Sequence, residues 1–153
     1  MQVFVPYRTP MACAAQLDPR RRNKQIIECR QILAAIRGES NAWRNHPCVK
    51  MYRNHTKWLE NYMNCLVCYA LFISSNEEDS EDLFLQAVDY SQEAKLLTPY
   101  FLTEEFCIQH RRRLYTKDNQ FYKHYSKYGE SMENWYFVDG ELLRYANGKR
   151  ITE

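Results

Sequence analysis

Residues 18–38 read DPRRRNKQIIECRQILAAIRG and predict the clearest helix of the chain, over residues 20–37. Asp18 followed by Pro19 is typical of an N-cap with proline in the first turn, and Gly38 suits the end of a helix. Apolar residues recur at helical spacing and predict one buried stripe, formed by Ile26, Ile27, Leu33 and Ile36 with Cys29 and Ile32 beside it.

The opposite side of this helix is polar and rich in positive charge. Lys24, Glu28 and Gln31 lie at spacings of four and three, so they share one face. Further cationic and amide side chains surround Glu28, namely Arg21, Arg22, Gln25 and Arg30. Such a group suits phosphate binding, and Glu28 could stabilise a developing cation or act as a general base. The alternative is a solvated face in which Lys24 and Glu28 pair.

The rest of the chain predicts a mainly α fold. We expect further helices at residues 11–17, from Pro47 to about Ser74, over 83–97, after a Thr103 cap, and over 119–128. Val3-Phe4-Val5 predicts a strand or an extended arm, and residues 135–145, with Asp139-Gly140 between apolar runs, predict a β-hairpin with a type I′ turn. The expectation is a single compact helical domain over residues 1–153, with about five helices, a short N-terminal extended arm and the C-terminal β-hairpin.

Composition excludes several classes of protein. The chain has 153 residues, 45% of them hydrophobic, with only 4 Gly and 5 Pro, which is typical of a globular domain. No apolar run approaches the roughly 20 residues of a membrane span, and the N-terminus does not resemble a secretory signal. The 6 cysteines are therefore expected to be reduced thiols in a cytoplasmic protein, with Cys65 and Cys68 in the core. We expect neither a metal site nor a cofactor.

Charge is segregated along the chain. Residues 1–58 hold 11 Lys/Arg and 3 Asp/Glu, whereas residues 59–105 hold 1 Lys and 10 Asp/Glu. Residues 106–153 are again basic, with 9 Lys/Arg and 6 Asp/Glu. This pattern predicts one positive face for a nucleic acid or a nucleotide, against the alternative of an ordinary uneven surface.

A second cluster of functional residue types follows the first helix. It comprises Trp43, Arg44, Asn45 and His46 before Pro47, then Tyr52, Arg53, His55 and Trp58. Aromatic rings stack on bases, and Asn and Arg bind base edges or phosphates. His46 is equally consistent with a helix cap, and Trp58 is predicted to belong to the core.

A third cluster is basic with aromatic residues between the cations. It comprises His110, Arg111, Arg112 and Arg113 with Lys117, Tyr122, Lys123 and His124. The pattern is typical of phosphate contacts, and a solvated helix face explains it equally well.

Several of these motifs together resemble the pyrimidine-dimer DNA glycosylase (endonuclease V-type) family of small bacterial and phage proteins. The matching residues are Met1 to Tyr7, Leu17-Asp18, Arg20-Arg21, Lys24-Gln25, Glu28, Gln31 to Leu33, Trp43, Asn45 to Pro47 and Tyr52-Arg53, and more loosely His110, Leu114, Lys117-Asp118 and Tyr122. The resemblance implies an all-α fold, DNA as the partner, a role in DNA repair, and no metal. It also implies a terminal α-amine that attacks a sugar carbon and a helix carboxylate that assists.

Two positions depart from the family pattern. Residue 2 is Gln, whose size blocks removal of the initiator methionine, so the terminal amine is expected to belong to Met1. The family's catalytic glutamate aligns with Gln31, so the carboxylate role would pass to Glu28, one turn earlier. The resemblance thus implies Met1, Glu28, Gln31 and His46 as catalytic candidates.

Three functions remain open at this stage. The first is a DNA glycosylase, with possible abasic-site lyase action, on damaged or modified bases. The second is an inactive relative that binds nucleic acid or a nucleotide, for example as a phage regulatory or counter-defence protein. The third is an N-glycosidase acting on free nucleotides. In each case Arg21, Arg22, Lys24, Gln25, Arg30, Trp43, Arg44, Asn45, Arg53 and His110 are the expected binding residues; the sequence leaves the oligomeric state open.

Overall fold

The computed structural model describes residues 1–152, and 59% of the chain is helical. The helices are α1 (Pro10–Gln16), α2 (Pro19–Ile36), α3 (Pro47–Tyr52), α4 (Thr56–Ser74), α5 (Glu77–Leu96), α6 (Glu104–Lys117) and a 3-10 helix (Lys123–Tyr128). Three strands follow, β1 (Glu133–Val138), β2 (Glu141–Ala146) and β3 (Lys149–Arg150). The predicted fold class is confirmed.

Helix α2 begins as predicted, but its buried stripe is rotated from the predicted one. The Asp18 side chain accepts a hydrogen bond from the Arg21 backbone N–H, so it caps the helix. The buried positions are Arg22, Gln25, Cys29, Ile32, Leu33 and Ala35, at helical spacing. Ile27, predicted to be buried, is 52% exposed. Arg22 and Gln25 lie on the buried face instead. Both can be buried because Arg22 donates to the Ala14 carbonyl and Gln25 accepts from the Phe4 N–H.

The single helix predicted from Pro47 to Ser74 is instead two helices. Helix α3 ends at Tyr52 and α4 begins at Thr56. The His55 N–H donates to the Tyr52 carbonyl at 2.8 Å, which closes a turn between them. The His55 ring packs edge-on against Phe101 with centroids 5.3 Å apart. This burial stabilises a corner that local helical periodicity does not reveal.

Of two further boundaries, the sequence leaves one open and the structure corrects the other. Helix α5 begins at Glu77, because the Asn76 side chain accepts from the Asp79 N–H and caps it. Residues 76–82, for which the sequence allows an acidic loop or a helix start, therefore contain the start of the helix. The predicted helix over residues 119–128 is only the 3-10 helix. There the Asp118 carboxylate accepts from the Phe121 N–H at 3.0 Å and holds residues 119–122 in turns.

The predicted C-terminal hairpin is confirmed and is extended by a short strand. In the β1–β2 pair, Glu133 lies opposite Ala146 and Val138 opposite Glu141. Asp139 and Gly140 have φ angles of 52° and 79°, as a type I′ turn requires. Residues 147–148 repeat this left-handed pair and lead to β3, which the prediction lacked.

Residues 1–5 form the predicted arm, with no strand pairing. Val3, Phe4 and Val5 are buried in the core, which also holds Tyr62 and, as predicted, Trp58. All 6 cysteines are buried and unpaired, Cys65 and Cys68 included. Within residues 1–152, no helix combines the length and the apolar character needed to cross a bilayer.

Candidate functional site

A cleft of about 430 Å³ opens between α2, the end of α6, the start of β1 and the N-terminal arm. Its walls are Met1, Gln2 and Phe4 of the arm, Asp18, Arg20, Arg21, Lys24, Gln25 and Glu28 of the α2 segment, and Arg113, Lys117, Asp118 and Asn134 opposite. The volume suits one small ligand rather than a duplex.

The cleft is electropositive. Its cations are Arg20, Arg21, Lys24, Arg113 and Lys117, against three carboxylates, Asp18, Glu28 and Asp118. Partial burial lowers the pKa of the Lys117 amine, and the nearby positive charges lower it further. The negative charge of Glu28 raises the pKa of the same amine. A site that already disfavours a further proton attracts an anionic ligand.

The N-terminal residue and Glu28 share the cleft. The Gln2 backbone N–H donates to Glu28 Oε2 at 3.4 Å, which places the carboxylate one residue from the terminal amine. Gln25 Nε2 also donates to Glu28 Oε2, at 3.2 Å. Met1 and Glu28 therefore line the same cationic cleft.

His46 and Trp43 lie on the other side of the N-terminus and do not line the cleft. His46 caps α3, since its Nδ1 accepts from the Cys48 N–H at 3.1 Å. Its ring packs edge-on against Trp43 and against Tyr136, with centroids 5.9 and 5.6 Å apart. Burial lowers the pKa of His46, and the positive charge of the terminal amine lowers it further. The amine charge therefore acts on His46, while residue Met1 also lines the cleft.

Trp43 has an unusual backbone. Its φ angle is 66°, in the left-handed region that bulky residues avoid, and its side chain is 51% exposed. Strain of this kind persists where the surroundings enforce it, and it is frequent at binding sites. The indole therefore offers solvent an aromatic face beside the N-terminus.

Two of the predicted binding residues are part of the scaffold. Arg22 is buried, and its guanidinium donates to the carbonyls of Ala14 at 3.1 Å and Leu17 at 3.3 Å. His110 is 1% exposed, and its Nδ1 accepts from the Val5 N–H at 2.6 Å. Neither side chain is free to reach a phosphate in this structure.

The remaining predicted residues lie on exposed surface outside the cleft. They are Gln31 and Arg30 on α2, Arg44 and Asn45 in the loop before α3, and Arg53 after it. The Arg53 guanidinium donates to the Arg44 carbonyl at 3.2 Å. Of the predicted set, the cleft brings together Met1, Arg21, Lys24, Gln25 and Glu28.

The opposite wall is where sequence reasoning was least complete. Arg113 and Lys117 were grouped with a general basic strip, although their i,i+4 spacing places both on one face of α6. Arg113 Nε donates to Asn134 Oδ1 at 3.0 Å, which ties α6 to β1. Asn134 carried no sequence signal, because only the fold brings the hairpin to the cleft.

Within the described part of the chain, no group of three or more His, Cys, Asp or Glu side chains is arranged to hold a metal ion.

Comparison with known proteins gives one match. Residues 1–70 match the model of the family described as pyrimidine dimer DNA glycosylase, which confirms the resemblance and supports a DNA glycosylase-type role. No curated protein and no solved structure matches the chain. The matched stretch contains the arm, α1, α2, α3 and most of α4, and therefore both Met1 and Glu28. Over residues 1–70 the chain is therefore similar to the pyrimidine dimer DNA glycosylase family.

Proposed function

We propose that this protein removes a damaged pyrimidine base from DNA, with the Met1 amine as nucleophile and Glu28 as the assisting carboxylate. The observation that carries the proposal is the shared cleft, in which Met1 and Glu28 lie among five cations. The family match over residues 1–70 supports DNA as the substrate.

The size of the cleft supports a flipped nucleotide as the reacting group. A volume of about 430 Å³ accommodates one nucleotide, whereas a stacked base pair would not fit. An enzyme that attacks a sugar carbon must first extrude the nucleotide from the duplex. The exposed Trp43 indole is suited to stack on the bases left behind.

The proposed chemistry uses one amine and one carboxylate. The Met1 nitrogen attacks C1′, and the glycosidic bond breaks with its electron pair leaving on the base, which takes up a proton. Opening of the sugar ring gives an imine between Met1 and C1′. Loss of the C2′ proton then expels the 3′ phosphate and cuts the strand. Glu28 stabilises the positive charge that develops at C1′ and accepts the proton of the amine.

Glu28 takes this role because Gln31, at the position that aligns with the family's catalytic glutamate, does not line the cleft. An amide cannot supply the negative charge in any case. The cleft cations on both walls grip the phosphates that flank the flipped nucleotide, each contact releasing a counterion.

The size of the cleft also favours a second candidate function. In it, the protein acts on a free nucleotide, or binds one without breaking a bond. A free nucleotide carries the same phosphate and fits the same volume. The acidic side chains within residues 78–93 of α5 do not line the cleft and would limit the length of duplex that the molecule contacts.

The test compares three substrates at equal protein concentration: an ultraviolet-irradiated duplex, the same duplex without irradiation, and a pyrimidine nucleoside monophosphate. We expect glycosidic bond cleavage and strand cutting on the irradiated duplex alone. Release of base from the monophosphate would support the second candidate. Tight binding with no bond broken in any substrate would contradict the proposed catalysis.

A further inference from the structure

The N-terminal arm is held by side chains rather than by a strand. Residues 1–5 are extended and mostly buried, yet they pair with no other backbone segment. Buried backbone groups without partners are strongly destabilising, so other groups must satisfy them. Here the partners come from α2, α4, α6 and β1.

Gln25 of α2 bonds to both sides of the arm. Its Oε1 accepts from the Phe4 N–H at 2.8 Å, and its Nε2 donates to the Gln2 carbonyl at 2.9 Å. The same Nε2 lies 3.2 Å from Glu28 Oε2. One buried amide thus fixes the arm relative to the carboxylate of the cleft.

His110 of α6 holds the arm from the other side. Its Nδ1 accepts from the Val5 N–H at 2.6 Å, and its Nε2 is 3.4 Å from the side-chain amide of Gln2. The ring packs between Phe4 and Phe106, with centroids 5.8 and 4.3 Å away. An acceptor role for Nδ1 requires the neutral imidazole, which this apolar packing favours.

Two phenols complete the set of anchors. The Tyr62 hydroxyl donates to the Phe4 carbonyl, and the Tyr136 hydroxyl donates to the Met1 carbonyl at 2.9 Å. The peptide unit between Met1 and Gln2 is therefore held at both ends, by Tyr136 at the carbonyl and by Glu28 at the N–H.

This double anchoring determines where the terminal amine lies. A peptide unit is planar, so fixing both its ends fixes its plane and the Met1 Cα atom that belongs to it. The amine nitrogen is about 1.46 Å from that Cα and retains one backbone torsion, ψ of Met1. The anchors thus restrict the amine to a single arc of positions, one residue from the peptide N–H that Glu28 accepts.

We propose that Gln25, His110 and Tyr136 are positioning residues, which fix the arm so that the Met1 amine faces Glu28 in the cleft. This inference rests on the proposed amine chemistry. It assigns Gln25 and His110 to the holding of the nucleophile, where the sequence had indicated contacts with substrate.

The test measures the reactivity of the amine without DNA. Glycolaldehyde phosphate carries the aldehyde and phosphate of an open abasic sugar: the amine adds to its aldehyde carbon, water leaves, and cyanoborohydride delivers hydride to the imine. Peptide mapping then gives the labelling rate at Met1. Tyr136→Phe removes one hydroxyl and keeps the ring. Tyr125→Phe is the matched control, because its buried hydroxyl bonds Tyr7 at 3.0 Å, away from residues 1–5.

We expect Tyr136→Phe to slow labelling at Met1 by about 10-fold or more, since small displacements of a reacting atom are costly. Labelling of Lys24 should not change, and Tyr125→Phe should label like the parent protein. Exchange of the Gln2 amide hydrogen should accelerate in Tyr136→Phe and not in Tyr125→Phe. Gln25→Met, which removes both bonds of the amide to the arm, should behave like Tyr136→Phe.

Equal labelling of Met1 in Tyr136→Phe and the parent protein would overturn the inference. An equal loss in Tyr136→Phe and Tyr125→Phe would also overturn it, because any buried phenol would then matter. If the parent protein labels at Met1 and Tyr136→Phe does not, while irradiated DNA stays intact, the positioning role stands and the proposed excision fails.

Discussion

The two walls of the cleft differ in chemistry and in origin. The wall formed by the arm and α2 carries the terminal amine, Glu28 and three cations, and it lies within residues 1–70, which match a known family. The wall formed by α6 and β1 carries Arg113 and Lys117 and lies outside the matched stretch.

This difference separates two tasks within one site. The matched wall holds the groups that could break a bond, and the unmatched wall holds groups that could bind phosphate. Substrate preference is therefore expected to depend on the second wall, while the type of reaction depends on the first. The predictions below test that division.

The largest effect is expected at Glu28. Glu28→Gln keeps the size of the side chain and removes its charge, so we expect excision of the damaged base to slow by about 10²- to 10³-fold. Affinity for the irradiated duplex should stay similar or rise, because the substitution removes a negative charge that repels phosphate from the cationic cleft. Single-turnover rates and fluorescence anisotropy measure the two effects.

The matched control lies on the other wall. Asp118→Asn removes a cleft carboxylate while its amide oxygen can still accept from the Phe121 N–H. We expect this variant to keep most of the excision rate. If both variants lose activity equally, the division between the walls is wrong.

The next largest effect concerns His110, which joins the two walls by holding the arm to α6. Burial lowers the pKa of His110 from 6.5 to about 3 in the folded protein. Between pH 6.5 and 3 the unfolded chain therefore binds the proton and the folded chain does not, so stability is present above pH 6.5 and is lost as pH falls. The loss amounts to roughly 1.4 kcal/mol per pH unit within that window.

Urea unfolding at several pH values measures this effect. His110→Gln has no imidazole to protonate, so the difference in slope between the parent protein and this variant isolates the contribution of His110 from that of the carboxylates. Parallel stability curves between pH 6 and 4 would show that the histidine does not titrate as its burial requires.

A smaller effect is expected at Trp43, beyond both walls. Trp43→Ala removes the exposed indole, and we expect duplex affinity to fall by about 1 kcal/mol or somewhat more, since stacking on one base is worth about that amount. Tyr100→Ala is the control, because Tyr100 is an aromatic residue that is 58% exposed in the turn between α5 and α6. An equal change in both variants would mean that Trp43 has no particular role.

The smallest effects are expected for single cations. Lys24→Gln and Lys117→Gln each remove one cation, from opposite walls, and each should reduce the slope of log affinity against log salt by about 1. Lys50→Gln, on the exposed side of α3, should leave that slope unchanged. A slope that responds to Lys50 as strongly as to Lys24 would mean that DNA does not bind at the cleft.

Local signals predicted much of the fold. The Asp18 cap, the Thr103 cap and the Asp139-Gly140 turn are short-range features, and each lies where the sequence placed it. The corner at His55 and the exposure of Ile27 escaped prediction, since both depend on what packs against them in the folded chain.

Part of the site was predictable from local sequence, and the rest depends on how the chain folds. Glu28 and Lys24 are found on one face from helical spacing alone. Asn134 and Tyr136 reach the site only through the docking of the hairpin, and Arg22 and His110 have the residue types of a binding site but serve the scaffold. From the residue type alone, a cationic side chain available to bind phosphate cannot be distinguished from one that already donates to a backbone carbonyl.

Covalent trapping on DNA tests the central claim most directly, namely that the Met1 amine reacts in the cleft beside Glu28. The protein is incubated with irradiated duplex and borohydride, and the adduct is digested and located by mass spectrometry. The account predicts the sugar fragment on Met1, in the parent protein and not in Glu28→Gln. An adduct on Lys24 or Lys117, or no adduct while the glycosidic bond is cleaved, would contradict it.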